Sequence, residues 1–288
     1  MSTASLPMLV DGDWLAAHLD DADLRVLDCS VSLVPVEGGV RLESGRAAWA
    51  AGHIPGSAYA DLMQDLSDRD STLPMMMPAA TQFAAVLGRL GVGPGTRVVL
   101  YDAGNHTWAT RLWWMLRAMG FDQAAVLDGG FTKWKADGRP VSVELPKHPA
   151  AAFIAQPRAA AFVDRDAVKA ALDAPQVRLV NALSPDEHAG RVSRTARPGR
   201  IPGSGNVPAG VLVDASTGAY RSLDALRELM QAAGLLDAPR VIAYCGGGIA
   251  ATSVAFTLAR LGATDVAVYD GSLVDWSSDP LLPMETDT

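Results

Sequence analysis

The sequence predicts an α/β protein of two similar domains, each with a mainly parallel sheet flanked by helices. Three observations support this prediction: the length of 288 residues, a set of sequence blocks that recurs in the same order in both halves, and short apolar strands that alternate with helical patterns. A chain of this length exceeds one typical domain and suits two, each large enough to bury its own core. Strands that alternate with helices are typical of βα units around a parallel sheet.

The most informative recurring block is a β-rich run that ends at a polar loop. It covers 97–102 (RVVLYD) in the first half and 240–245 (RVIAYC) in the second. A predicted helix follows each run and ends at a glycine, Gly120 or Gly262, because glycine readily adopts the left-handed backbone found at helix ends. The same order of strand, loop and helix therefore occurs twice in the chain.

Further blocks recur around this unit and complete the repeat. Before the β-rich run, each copy has an early strand (25–28 and 178–181) and a Gly-x-Ile-Pro-Gly-Ser segment (52–57 and 199–204). After it, each copy has the helix (109–119 and 250–261), a later strand (124–127 and 266–269) and an Asp-Gly pair followed by a tryptophan (128–134 and 270–276). The Pro- and Ala-rich interval between the two copies predicts an extended linker. We therefore expect domains at 1–143 and 161–288, joined by a linker at 144–160.

The two copies differ most in the loop after the β-rich run. The first copy has Asp102 at the position where the second has Cys245. Small residues with accessible main-chain amides follow the cysteine: Gly246, Gly247, Gly248, Ile249 and Ala250. A curled run of amides at the start of a helix forms an anion-binding nest, which favours a thiolate and suits a negatively charged persulfide. We predict that Cys245 is a nucleophile and that the amides of its loop bind the substrate.

A plainer interpretation of Cys245 is a small buried residue at a strand end, with glycines that only permit a turn. The combination of a strand end, a glycine-rich loop and a helix start favours the nucleophile, because ligands bind at this edge of open α/β sheets. Cys29 lacks such a loop and is predicted to be structural. A phosphatase of the Cys-x5-Arg type is disfavoured, because Ala251 stands where the phosphate-binding arginine would be.

Together these blocks resemble the tandem-domain rhodanese family, which includes thiosulfate sulfurtransferases and 3-mercaptopyruvate sulfurtransferases. The resemblance covers nearly the whole chain and includes both Gly-x-Ile-Pro-Gly-Ser segments, the Asp-Gly-Gly-Phe-x-x-Trp segment and the cysteine loop. It implies two rhodanese-like domains, each with a five-stranded parallel sheet flanked by helices. It also implies that the first domain is inactive, with Asp102 in place of the cysteine, and that the second carries sulfur on Cys245 as a persulfide held by the amides of 246–250.

The resemblance further implies a ping-pong sulfurtransferase reaction. The Cys245 thiolate takes the outer sulfur of thiosulfate, sulfite leaves, and a thiophilic acceptor, cyanide or a thiol, then removes the sulfur. This chemistry needs no metal and no organic cofactor. Two alternatives remain open: 3-mercaptopyruvate as the donor, and a sulfur-carrier or binding module that serves a protein acceptor. The loop departs from both patterns: Gly246 and Gly247 stand where thiosulfate enzymes carry basic residues, and the small-residue loop is more like that of mercaptopyruvate enzymes but lacks their hydroxyl residue before Thr252. Thiosulfate is favoured because Met75 stands where mercaptopyruvate enzymes carry a histidine.

The negative charge of the donor requires a cation that the cysteine loop itself does not supply. Arg191, Arg194, Arg197 and Arg200 recur every three residues, and the resemblance implies substrate arginines in this interval. We predict that Arg191, Arg197 or Arg200 binds the donor through bidentate hydrogen bonds. The competing interpretation is a solvated basic loop with no contact to substrate.

Composition determines the environment that we expect for the protein. The net charge of −8 disfavours nucleic acid and anionic membrane surfaces as partners. No signal peptide and no membrane-spanning run of about 18 apolar residues are predicted. Two cysteines among 288 residues are typical of a reducing compartment. We therefore expect a cytoplasmic enzyme that acts on small molecules.

Overall fold

The computed structural model of the chain describes residues 6–36 and 39–287, which form two compact units. The first unit holds the described residues through Asp70 together with Met77–Arg158 and Ser216–Ala219. The second unit holds Ser71–Met76, Ala159–Ala215 and the described residues from Tyr220 onwards. Each unit therefore includes one short segment from the opposite half of the sequence. No helix in the described part of the chain is long and apolar enough to cross a bilayer.

The first unit is an α/β domain. Its strands are β1 (Leu9–Val10), β2 (Leu24–Asp28), β3 (Val31–Val36), β4 (Gly39–Ser44), β5 (Ala58–Tyr59), β6 (Arg97–Tyr101) and β7 (Ala124–Leu127). Its helices are α1 (Gly12–His18), α2 (Arg46–Ala51), α3 (Ala80–Arg89), α4 (Thr107–Ala118) and α5 (Gly130–Ala136). A parallel sheet runs in the order β1-β7-β6-β2-β5, whereas β3 and β4 form a separate antiparallel hairpin.

The second unit repeats this architecture. Its strands are β8 (Phe162–Val163), β9 (Val177–Asn181), β10 (Gly205–Asn206), β11 (Arg240–Tyr244) and β12 (Val266–Tyr269). Its helices are α6 (Arg165–Ala171), α7 (Pro185–His188), α8 (Leu223–Ala232), α9 (Ala251–Arg260) and α10 (Ser272–Trp276), with a short 3-10 helix at Ala209–Leu212. The parallel sheet runs in the order β10-β9-β11-β12-β8.

The two parallel sheets have the same topology. Numbered along the chain within each unit, the five strands lie in the order 1-5-4-2-3 in both sheets. The strand that precedes the loop of Asp102 or Cys245 is central in each sheet: β6 lies between β7 and β2, and β11 lies between β12 and β9. Parallel strands end at one common edge, so this loop lies at the edge where α/β sheets bind ligands. The predicted fold of two parallel-sheet α/β domains is confirmed.

The recurring sequence blocks make equivalent contacts in the two units. In the first, the Ser57 hydroxyl pairs with the hydroxyl of Tyr101, the last residue of β6, at 2.8 Å. In the second, Ser204 pairs with Tyr244 at the end of β11, at 2.6 Å. All four side chains are buried. The serine of each Gly-x-Ile-Pro-Gly-Ser segment therefore anchors that segment to the end of the central strand.

The tryptophans that close the two repeats also match in structure. Trp134 is 1% exposed and donates its indole N–H to the Pro140 carbonyl at 2.8 Å, and Trp276 is 0% exposed and donates to the Pro283 carbonyl at 2.9 Å. Each indole buries a large apolar ring and satisfies its polar atom within the unit, as a core tryptophan requires. We conclude that these tryptophans belong to the core of their units.

The predicted linker is extended but associates closely with the first unit. Ala151 and Gln156 donate main-chain hydrogen bonds to Gly88 at 2.9 Å and Met119 at 2.8 Å. The ring of Phe153 is 8% exposed and packs edge-on against Phe83. These contacts explain why the first compact unit continues to residue 158, beyond the predicted domain boundary at 143.

The β3–β4 hairpin and the two segments that join the opposite unit were not predicted from the sequence. The runs 31–36 and 40–44 do alternate apolar with other residues, which is a strand signal. The second repeat has no equivalent of this hairpin among its described strands, so comparing the repeats could not identify it. Nothing in the local sequence of segments 71–76 and 216–219 indicates which of the two compact units each belongs to.

Candidate active site

Cys245 directly follows the central strand β11. The strand residues 241–244 are buried, and Cys245 is itself 2% exposed. Its main chain is held by the start of α10, because its N–H donates to the Ser272 hydroxyl at 3.1 Å and its carbonyl accepts from the Leu273 N–H at 3.0 Å. The next carbonyl, on Gly246, accepts from the Val274 N–H at 2.8 Å. The cysteine is thus fixed on its main-chain side before any substrate binds.

The three glycines after Cys245 have different structural roles. Gly248 has a left-handed backbone with φ of 75°, and a Cβ at this position would lie less than 3.0 Å from the Asp270 carbonyl oxygen. A Cβ on Gly246 or Gly247 would meet no atom within 4 Å. Gly248 is therefore required by the turn, whereas Gly246 and Gly247 leave open space beside the cysteine. We expect a donor to approach the buried sulfur through this space.

The equivalent loop of the first unit shows what such a ring of amides binds. One carboxylate oxygen of Asp102 accepts from the N–H groups of Gly104 at 2.9 Å and His106 at 3.0 Å. The other accepts from Trp108 and Ala109, both at 3.1 Å. Asp102 is 1% exposed, so four main-chain donors take the place of water around a buried negative charge. In the first unit, the loop after the central strand is therefore an anion-binding nest.

In the second unit, the matching loop follows Cys245 and leads into α9. The second loop is one residue shorter than the first, since Asp102 corresponds to Cys245 but Gly120 at the end of α4 corresponds to Gly262 at the end of α9. The relevant donors are the amides of Gly247, Ile249 and Ala251, which lie in this shorter loop and at the start of α9. The main-chain N–H groups of these three residues donate to no protein acceptor in the part of the chain that the structure describes. These N–H groups therefore remain available to an acceptor from outside the protein.

Cys29 lies in a different environment. It is 0% exposed, its N–H donates to the Tyr101 carbonyl at 2.8 Å, and its thiol contacts the Leu27 carbonyl at 3.7 Å. Burial raises the pKa of the Cys29 thiol well above its usual value, and the charges of Asp28 and Asp102 raise it further. A thiol held in the neutral form is a poor nucleophile. The structure supports the structural role predicted for Cys29.

Two of the predicted substrate arginines are bound inside the second unit. Arg200 is 9% exposed and forms ion pairs with Glu285 and Asp287, the latter at 2.6 Å. Arg197 uses four of its five N–H donors on main-chain carbonyls of the C-terminal segment: Trp276, Ser277, Asp279 and Leu282. These contacts give both side chains structural roles and do not favour the predicted contacts with substrate.

Arg191 and Arg194 are more exposed than the other two arginines. Arg191 pairs with Asp186 at 2.7 Å, and Arg194 lies 3.5 Å from Glu187. Their side chains are 52% and 78% exposed, so solvent screens these pairs and each is weak. Of the three arginines predicted to bind substrate, only Arg191 keeps a guanidinium that is free to turn to another anion at small cost.

The sequence did not single out Ser272, which contacts the main chain of Cys245 from 27 residues away. Its block does recur, because Asp-Gly pairs precede both Gly130 and Ser272. That recurrence signals a shared turn but not a contact with the cysteine. Met75 belongs to the same compact unit as Cys245 and has a left-handed backbone with φ of 61°.

Comparison with known proteins extends these observations. A family model described as a rhodanese-like domain matches residues 11–137 and again residues 164–279. The 3-mercaptopyruvate sulfurtransferase of Escherichia coli (strain K12) is 31% identical over 284 residues, covering 98% of this chain and 99% of that protein. Thiosulfate/3-mercaptopyruvate sulfurtransferase 2 of Arabidopsis thaliana is 32% identical over 300 residues, covering 96% of this chain and 86% of that protein.

The similarity is also structural. The crystal structure of SseA from Escherichia coli, described with the rhodanese fold and the catalytic mechanism of 3-mercaptopyruvate sulfotransferases, matches with a TM-score of 0.81 at 31% identity. The match covers 92% of this chain and 98% of that one. Sequence and fold thus agree across both repeats. The chain belongs to the rhodanese family, as a tandem-domain sulfurtransferase.

Proposed function

We propose that the protein transfers a sulfur atom from a small-molecule donor to an acceptor through a persulfide on Cys245. The observation that carries this proposal is the pair of equivalent loops. In the first, main-chain amides hold the Asp102 carboxylate, and in the second, a glycine-rich run of amides follows a cysteine at the matching strand end. Donors that are already oriented toward a developing negative charge stabilise it without reorganisation. A loop of this kind favours both the attacking thiolate and the anionic persulfide.

The loading step balances for either donor. The Cys245 thiolate attacks the donor sulfur, so a new S–S bond forms and the bond between that sulfur and the rest of the donor breaks. With 3-mercaptopyruvate, the leaving carbon keeps the electron pair and takes the proton of the donor thiol, which gives pyruvate. With thiosulfate, sulfite leaves with the electron pair. An acceptor thiolate or cyanide then attacks the terminal sulfur, and the Cys245 thiolate is regenerated.

We propose 3-mercaptopyruvate as the preferred donor and thiosulfate as the second. The sequence favoured thiosulfate because of Met75 and expected nearby arginines to meet its charge, but Arg197 and Arg200 bind groups inside the fold. Thiosulfate brings two negative charges to an uncharged loop, whereas 3-mercaptopyruvate brings one carboxylate. The relatives from Escherichia coli and Arabidopsis thaliana both have 3-mercaptopyruvate in their names. Met75 remains the argument for thiosulfate.

The test is to load the protein with each donor and to locate the transferred sulfur by mass spectrometry. We expect Cys245→Ser to lose both the added sulfur and all turnover with a thiol or cyanide acceptor. Cys29→Ser is the matched control and keeps both, because its thiol is held neutral in the core. Transfer at the wild-type rate by Cys245→Ser would refute the proposal.

The same experiment separates the remaining alternatives. A larger kcat/KM with 3-mercaptopyruvate than with thiosulfate supports the proposed donor, and the reverse order supports the expectation from the sequence. A persulfide that forms on Cys245 but reacts with no small acceptor would instead indicate a sulfur carrier for a protein acceptor.

A further inference from the structure

Ser272 has an unusual backbone for a serine. It begins α10 in the left-handed region with φ of 48° and is 0% exposed. An L-residue with a Cβ is strained in this region, whereas glycine is not. Because glycine would adopt this backbone without strain, the turn alone does not explain why a buried serine stands here.

The Ser272 hydroxyl connects two parts of the site. It donates to the Tyr269 carbonyl at 2.8 Å and accepts from the Cys245 N–H at 3.1 Å. Cys245 lies beyond the end of β11, so its N–H has no strand partner, and this hydroxyl supplies the acceptor that the buried donor requires. The bond fixes the peptide plane that precedes the Cα of Cys245, and therefore the direction in which the Cys245 side chain leaves the main chain.

The first unit provides an internal comparison. There, Gly130 begins α5 with φ of 56°, and the next residue, Phe131, donates its N–H to the Asp102 carbonyl at 2.8 Å. The second unit has the matching bond from Leu273 to Cys245. The turn and this bond thus form equally well with glycine. Only the unit that carries the cysteine has a hydroxyl at the turn, so the hydroxyl serves the cysteine and not the turn.

We propose that Ser272 is a positioning residue, whose hydroxyl holds the Cys245 main chain so that the thiolate stays directed at the amides of its loop. This role rests on the proposed function, since it concerns the orientation of the nucleophile for sulfur loading. Orientation of a reacting group is worth large factors in rate, and small displacements of such a group cost much of that gain.

The experiment compares Ser272→Gly with Ser272→Ala, two variants that both lack the hydroxyl. The glycine variant also relieves the backbone strain, whereas the alanine variant keeps it. Ser57→Ala is the matched control, because Ser57 is another 0% exposed serine whose hydroxyl is bonded in the first unit, to Tyr101. The measurements are the thermal midpoint, single-turnover sulfur loading, and the pH profile of iodoacetamide alkylation on the Cys245 peptide.

We expect both Ser272 variants to load sulfur and to alkylate about tenfold more slowly than the wild type. The alkylation profile should shift along the pH axis, and the donor concentration that half-saturates single-turnover loading should not change. Ser272→Gly should unfold at a higher temperature than Ser272→Ala, although their reactivity is equal. Ser57→Ala should lower the thermal midpoint and leave both rates unchanged.

Two results would overturn the proposal. One is a wild-type alkylation profile in Ser272→Gly. The other is a loss of reactivity that appears only in a variant whose thermal midpoint has fallen below that of Ser57→Ala, since general destabilisation would then explain it. Alkylation does not require sulfur transfer, so it tests the role of Ser272 separately. If the Ser272 variants change the alkylation profile but neither donor loads sulfur onto the wild type, the proposed function is refuted and the positioning role of Ser272 is not.

Discussion

Replacement of Gly248 by alanine tests whether the cysteine loop needs its left-handed turn. Gly248 has φ of 75°, and an added Cβ would lie less than 3.0 Å from the carbonyl oxygen of Asp270, a main-chain atom next to the turn that begins α10. The left-handed backbone costs an alanine about 1–2 kcal/mol, and displacing a packed main-chain atom costs about 1–3 kcal/mol more. We therefore expect Gly248→Ala to lower the free energy of unfolding by about 2–5 kcal/mol.

The matched control is Gly247→Ala, one residue earlier. Gly247 does not have a positive φ, and its added Cβ would meet no atom within 4 Å. A glycine-to-alanine change at a compatible position alters stability by less than about 1 kcal/mol, usually upwards, because the unfolded chain loses freedom. The two variants therefore have the same composition but opposite expected effects on stability.

Urea unfolding followed by tryptophan fluorescence measures the difference, and single-turnover sulfur loading at low denaturant measures its effect on the site. Gly248→Ala should also load sulfur more slowly, because relief of the clash moves the loop away from α10. Equal unfolding free energies for the two alanine variants would refute the description of this turn.

Two further predictions concern the differences between the repeats. Cys245→Asp should abolish sulfur transfer. Its unfolding free energy should nevertheless exceed that of Cys245→Ser by about 1–3 kcal/mol, because its carboxylate can accept hydrogen bonds from the loop amides as Asp102 does. An aspartate variant that unfolds at lower urea than the serine variant would contradict this. Burial raises the pKa of Asp28 from 3.8 to about 6, so the native state binds this proton more tightly than the unfolded state, and the associated stability is lost as the pH rises from about 4 to about 6. Asp28→Asn introduces the residue found at the equivalent Asn181. The difference in unfolding free energy between this variant and the wild type should therefore rise in favour of the variant by about 2–3 kcal/mol from pH 4 to pH 7.5. A difference that does not depend on pH would contradict this.

The elements around the site could be predicted because their signals are local. The strands at 124–127 and 266–269 have the predicted bounds, and the glycines at the ends of α4 and α9, Gly120 and Gly262, have φ of 82° and 92°. The bounds of helices α4 and α9 differ from the prediction by one or two residues. Apolar runs, helix-ending glycines and the repeat itself are all properties of neighbouring residues, so they can be recognised before the chain is folded.

Local patterns were least informative where a side chain's partner lies far along the sequence. The arginine series had the spacing of a substrate-binding loop, but Arg197 and Arg200 bind partners about 80 residues later in the chain. Which carbonyl or carboxylate meets a guanidinium depends on how the C-terminal segment packs, and no local pattern encodes that. The same reason kept Ser272 out of the predicted site.

The sequence alone determined the two α/β repeats, the family, and the contrast between Asp102 and Cys245. Only the tertiary structure decided what surrounds those two residues: four amides around the carboxylate of Asp102, and a buried hydroxyl on the main chain of Cys245. The physical reason is the range of the interactions. Backbone propensity and apolar periodicity act between near neighbours, whereas hydrogen bonds at the site join residues that only the folded sheet brings within 3 Å or so.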